Sequence, residues 1–178
     1  MFEAEEVKQK ADQKDFILQV VKEQPLLIEW ASEELRDDKE VILEAVKVDG
    51  GALEFASDRL KDDKDVLLEA VSQAGWTGCY ASERLRDDKD IILAAVKNDG
   101  QILYYASERL RDDKDVVMEA IMKKPIILKY ASKRLRGDKE VAKAVLEKTT
   151  KVFEYLTDDL KKDEEIQLIM NPPEEGGK

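Results

Sequence analysis

The chain matches itself at a shift of 25 residues, and that period leaves few folds open. Leu35, Leu60, Leu85, Leu110, Leu135 and Leu160 stand in one column, and Asp38, Asp63, Asp88, Asp113, Asp138 and Asp163 in another. Trp30, Phe55, Tyr80, Tyr105, Tyr130 and Tyr155 form a column that is aromatic throughout. No insertion interrupts the spacing over residues 13–162, which divide into six units. A repeat this short cannot bury its apolar side alone. It buries that side against its neighbours, and the result is a stacked array.

The unit reads as helices. In residues 38–62, Val41, Ile42, Ala45 and Val46 fall at helical spacing, with Glu40, Glu44 and Lys47 on the other side. Asp49-Gly50-Gly51 ends that helix, because glycine reaches the left-handed conformation at little cost. Asp99-Gly100 does the same, and Pro25 and Pro125 stop a helix by another route. A second helix starts near Ala52 and carries Leu53, Ala56 and Leu60 on one face, flanked by Phe55. Ser32, Ser57, Ser82, Ser107, Ser132 and Thr157 recur inside it. Serine competes for backbone groups in mid-helix but caps an N-terminus well. The second helix therefore either runs through or breaks at the serine, and the capping chemistry favours the break. The expected fold is all-α, a right-handed α-solenoid of about six 25-residue helical-hairpin repeats. Residues 1–12 are expected to form an N-terminal cap segment, 13–162 the array, 163–170 a capping helix, and 171–178 (NPPEEGGK) a disordered tail.

The segment ERLRDDKD, at 83–90 and again at 108–115, poses the functional question. Asp38 and its equivalents are placed to cap the long helix, an effect of about 1 kcal/mol each. Glu40, Asp65, Asp90, Asp115, Glu140 and Glu165 fall in the first turn, where the helix dipole favours negative charge. Asp37, Asp62, Asp87 and Asp112 are less necessary, since Gly137 and Lys162 replace them in later units. The basic column Arg36, Lys61, Arg86, Arg111, Arg136 and Lys161 is expected to pair with the first-turn acids. The rival readings are a divalent cation at each corner, or carboxylate catalysis. Calcium needs six to eight oxygens turned onto one point by a loop, which this motif lacks. Catalysis asks for one distinctive site rather than five similar ones. No catalytic, metal or cofactor residue is therefore assigned.

Composition narrows the remaining classes. The chain is 43% apolar and 40% charged, with a net charge of -11, which suits a thin structure rich in surface. It has no histidine, the commonest general base and a common metal ligand. Cys79 is the one cysteine, so no intramolecular disulfide can form; a reducing intracellular compartment is the default, with an organelle address left open. No apolar run approaches eighteen residues, which argues against a membrane span.

The stretches YASERLRDDKDIILAAVKNDG (80–100) and YASERLRDDKDVVMEAI (105–121) resemble the tandem helical repeats catalogued as domain of unknown function number 4116. The resemblance covers roughly 14–160 and implies an all-helical array, often found in multiples and beside other domains. It implies no activity and no site residues. The first and last units depart from the pattern, with Gln13 in place of the cap aspartate and Asp159 in place of Arg59 and Arg84.

Function is best sought where the repeats depart from one another. Gly78 breaks the column of Leu53, Leu103 and Leu128, beside Trp76. Either Trp76 or a neighbouring unit fills the gap, or the gap is a notch for a partner's side chain with Trp76 as its anchor. Residues 122–151 hold ten Lys or Arg and three acids, a local charge of +7 against -18 for the rest. The sixth unit degenerates, with Ala142, Lys143 and Ala144 in place of larger or acidic residues. The expected function is a non-catalytic protein–protein interaction module, an adaptor or a structural subunit of a larger assembly. Its partner-binding residues are Trp76, Gly78, Lys123, Lys124, Lys129, Lys133, Arg134, Arg136 and Lys143, and its partner is a protein with an acidic surface. Nucleic acid fits poorly with a pI near 4.7. The alternatives are an enzyme or cation-binding protein using the acidic corners, or an acidic nucleic-acid mimic.

Overall fold

The computed structural model describes residues 2–172, and every described element is helical. In unit two the pieces are a long α-helix, Lys39–Val48, a 3-10 helix, Gly50–Phe55, and a one-turn α-helix, Asp58–Lys61. The other long helices are Lys14–Glu23, Lys64–Gln73, Lys89–Asn98, Lys114–Lys123 and Lys139–Leu146. Ala4–Gln9 precedes the first of them and Glu164–Met170 follows the last unit. Each long helix packs on the long helices before and after it, and each 3-10 helix on the neighbouring 3-10 helices. The array is thus an α-solenoid of two layers with one continuous core between them. Val41, Ile42, Ala45 and Val46, with their equivalents in each later unit, are buried there.

The second helix does break at the serine. Ser57 is extended, and its hydroxyl accepts the Leu60 amide; Ser32, Ser82, Ser107 and Ser132 cap in the same way. The piece before the break is a 3-10 helix rather than the expected α-helix from Ala52. At roughly 2.0 Å rise per residue, six residues of 3-10 helix span about 12 Å, further than α-helix would. Three residues per turn also sort its side chains. Ala52 and Leu53 are buried while Glu54 is exposed, and Ile102 and Leu103 are buried while Tyr104 is exposed.

The glycines at the unit corners act differently from the sequence expectation. No described residue has positive φ, so none uses the left-handed region. They are instead places of close approach. A Cβ on Gly50 would stand 2.5 Å from the Ala70 carbonyl oxygen of the next long helix, and one on Gly100 2.5 Å from that of Ala120. The tail expected at 171–178 lies outside the described residues from 173 onward; Asn171 and Pro172 are non-helical.

Candidate functional site

The acidic corners come first, because each carboxylate has a structural partner. Asp88 caps the long helix of unit four, its Oδ1 accepting the amides of Asp90 and Ile91. Its other oxygen takes Lys64 Nζ of the preceding unit at 2.8 Å. Partial burial raises the Asp88 carboxyl, but the Lys64 ion pair and the two amides outweigh it and hold the group below its ordinary value. The first-turn acid Asp90 also receives Lys64, at 2.9 Å. The same lysine-to-two-acids link joins Lys14, Lys39, Lys89, Lys114 and Lys139 to the units that follow them. The first-turn acids are therefore paired with the motif lysine. The expected basic column points elsewhere: Arg86 donates to the backbone carbonyls of Ala81 and Cys79, and Arg136 to that of Tyr155.

The aspartates read as less necessary have a distinct role that local reasoning missed. Asp87 accepts the Ser107 hydroxyl and, at 3.0 Å, Arg109 Nε, both from the next unit. The Ser107 hydroxyl, with Arg109 behind it, holds the Asp87 carboxyl low. Asp37, Asp62 and Asp112 make the same clamp to Ser57 and Arg59, Ser82 and Arg84, and Ser132 and Arg134. The serine hydroxyl thus accepts a cap bond and donates a seam bond at once. Where Gly137 removes the acid, Thr157 makes no cap and Asp159 stands in the arginine's place. Among the described residues, no three His, Cys, Asp or Glu side chains converge as metal ligands would.

The nine residues singled out from the sequence separate once they are placed. Arg134 is committed to the Asp112 clamp, and Lys143 pairs with Glu165. Arg136 bonds the Tyr155 carbonyl and its Nε is buried. Gly78 is buried, and a Cβ there would stand 3.1 Å from Ile102 Cγ2 and 3.2 Å from Ala95 Cβ. Residues of the next unit therefore fill the gap, and it is no notch. Lys123, Lys129 and Lys133 are exposed and Lys124 half-buried, and none of the four makes an ion pair among the described residues.

Trp76, Lys124 and Lys129 do come together. They line one open groove of about 380 Å³ with Cys79, Gln101, Ile102, Tyr104, Tyr105, Ile126, Ile127, Tyr130 and Asp99. The groove lies over the 3-10 helices Gly75–Tyr80, Gly100–Tyr104 and Pro125–Tyr130. Trp76, Tyr104 and Tyr105 leave 44%, 53% and 37% of their surface in solvent. Tyr104 stacks edge-on against Tyr105 at 5.0 Å and Tyr130 at 4.8 Å, and Lys129 Nζ lies 4.8 Å from the Tyr130 ring. Gly51 makes room for Trp76, whose ring would lie 3.4 Å from a Cβ there. Burial raises the Cys79 thiol, so it is no activated nucleophile. Burial, with the Glu54 carboxylate beside it, pushes the Tyr80 hydroxyl up to about 12, so that phenol stays neutral.

The signal for this groove lies in one column. The outward position of the 3-10 helix is Glu29, Glu54, Cys79, Tyr104, Lys129 and Glu154. Three successive units lose the acid, and the groove lies over those three.

The model of one family, described as Domain of unknown function (DUF4116), matches residues 13–58, 38–86 and 88–136. The chain belongs to that family. The DUF4116 matches begin at the cap positions Gln13, Asp38 and Asp88, and each spans about two of the 25-residue structural units. No curated protein and no solved structure matches the chain. Among the described residues no helix is long and apolar enough to cross a membrane.

Proposed function

We propose that this chain is a non-catalytic protein-interaction module, an adaptor or a structural subunit, that docks through its 3-10 layer. The observation that carries the reading is the run Cys79, Tyr104, Lys129 in a column otherwise made of glutamate, with exposed aromatic rings around it. Exposed tryptophan and tyrosine are enriched at docking surfaces, where rigid rings give contact area at low entropic cost, and unpaired lysines beside them steer an acidic partner. The enzyme and cation readings draw support from the acidic corners alone. Those carboxylates are engaged by capped amides, serine hydroxyls, lysine and arginine, as at Asp88 and Asp87.

The test places a photo-crosslinking phenylalanine analogue at position 104, on the 3-10 layer, or at 97, on the outer side of a long helix. Position 104 is expected to give protein adducts in extract and position 97 to give none. Adducts at 97 alone would move docking to the helical layer. Nucleic-acid adducts at 104 would overturn the reading.

A further inference from the structure

We infer that the groove over units three to five takes an extended acidic peptide segment with an aromatic or branched apolar side chain at its centre. This rests on the docking reading above and adds the chemistry of the occupant. The walls of the groove are apolar and aromatic, from Trp76 at one end through Tyr104 and Tyr105 to Tyr130. An occupant that covers exposed rings must bring apolar surface of its own.

The charge of the occupant follows from the lysines. Lys124 and Lys129 line the groove without an ion pair among the described residues, and Lys123 adjoins Lys124 in the chain. Across the rest of the array the lysines of the repeat motif are held between two carboxylates, as Lys64 is by Asp88 and Asp90. Asp99 is the one carboxylate in the lining, and its oxygen already accepts the Gln101 amide at 2.9 Å. The groove therefore presents cations whose partners must come from outside. A polyanion such as single-stranded nucleic acid would meet those same lysines and rings. A nucleic-acid chain would also run on beyond the groove over a molecule of net charge -11, whereas an acidic segment can end with the groove. The groove is open and lined by three successive units, which suits an extended segment lying along the array.

The test is fluorescence anisotropy on the full chain at low and high salt. The probe is a labelled dodecapeptide of glutamate and aspartate with a central Phe-Leu pair. Comparators are the same peptide with Ser-Gly at the centre, its lysine counterpart, and an oligothymidylate of equal length. The acidic Phe-Leu peptide is expected to bind at least tenfold more tightly than each comparator and to weaken as salt rises. Tyr104→Ala and Lys129→Glu are each expected to weaken it at least fivefold. Both side chains are exposed, so the melting temperature should hold and a folding defect is separable. Tighter binding of the oligonucleotide, no saturation in the millimolar range, or equal affinity in both variants would overturn the inference. So would self-association of the chain abolished by Lys129→Glu, which would make the occupant a second copy. If the peptide fails while crosslinks at 104 still capture protein, the docking reading stands and only the occupant is wrong.

Discussion

At the scale of single residues, the repeated Asp-Asp-Lys-Asp is an ionic ladder in which three acids have three tasks. The first clamps the next unit's serine and arginine, the second caps a helix, and the second and third together receive the preceding unit's lysine. Asp88→Ala and Asp113→Ala should each cost about 1 to 2 kcal/mol in chemical denaturation, mostly from the lost cap. Millimolar calcium or magnesium should leave the parent's melting temperature unchanged. A cation-dependent rise that these variants abolish would restore the metal reading. The pH profile follows from the same groups. Asp87 and Asp88 are depressed in the folded state, by the Ser107 hydroxyl and Arg109 and by the Lys64 pair and capped amides. Their contribution is complete above the unfolded value of about 3.9 and is lost as pH falls through the lower folded values. Lys64 is raised, first by Asp88 and then by Asp90, so its contribution is complete below about 10.4 and is lost at higher pH. Stability measured against pH should show a plateau from about 5 to 10 with a steep acid limb.

At the scale of elements, the short 3-10 helix decides which side chains face water. Period three puts positions such as 102 and 103 inside and 101 and 104 outside, whereas an α-helix would have smeared the pattern. It also alters the aromatic column. The 25-residue register alone puts Tyr105 at a partly buried unit-to-unit seam, like the other rings of its column, where truncation would cost several kcal/mol. Tyr105 follows the shortened helix Gly100–Tyr104 and is 37% exposed, against half-buried rings in the other units. Tyr105→Ala should therefore cost about 1 kcal/mol, and Leu110→Ala, fully buried in the same unit, about 2 to 5 kcal/mol. Gly100→Ala tests the corner packing. Alanine in place of glycine ordinarily favours helix, but here its Cβ meets the Ala120 carbonyl oxygen at 2.5 Å. A loss of about 1 to 3 kcal/mol is expected by thermal melting, and a gain would refute the close-approach account.

At the scale of the whole molecule, stability is a sum over seams, and the seams are unequal. Four carry the aspartate–serine–arginine clamp. The seam between units five and six has Gly137, Thr157 and Asp159 at those positions; it keeps the Lys114 link to Asp138 and Glu140 and the Arg136 bond to the Tyr155 carbonyl but lacks the clamp. Hydrogen exchange should be fastest in residues 138–162. Gly137→Asp, Thr157→Ser and Asp159→Arg combined should slow it and raise the melting temperature. Thr157→Ser belongs in the set because a Cβ at 137 would also stand 3.3 Å from the threonine methyl, which serine lacks. Unchanged exchange in the triple variant would show that the clamp adds nothing at this seam.

The sequence alone determined the period, the helical class and the cap aspartates, and it favoured the break at the serine. Each follows from contacts within a few residues, where spacing and local backbone chemistry suffice. Asp88 caps amides two and three positions on, and Ser107 an amide three positions on. What only the tertiary structure decided lies about one period away. Lys64 meets Asp90 across 26 residues and Asp87 meets Arg109 across 22, and sequence spacing alone names no partner at that distance. The same limit applied to the glycines, assigned to backbone freedom when the cause is a carbonyl in the next unit. It applied again to the basic block. Composition counted its charges together, but stacking commits Arg134 and Lys143 to internal acids and leaves Lys124 and Lys129 beside the rings of Tyr104 and Tyr130. In a solenoid each unit's surroundings are its neighbours, so the stacking decides which charges remain free for a partner.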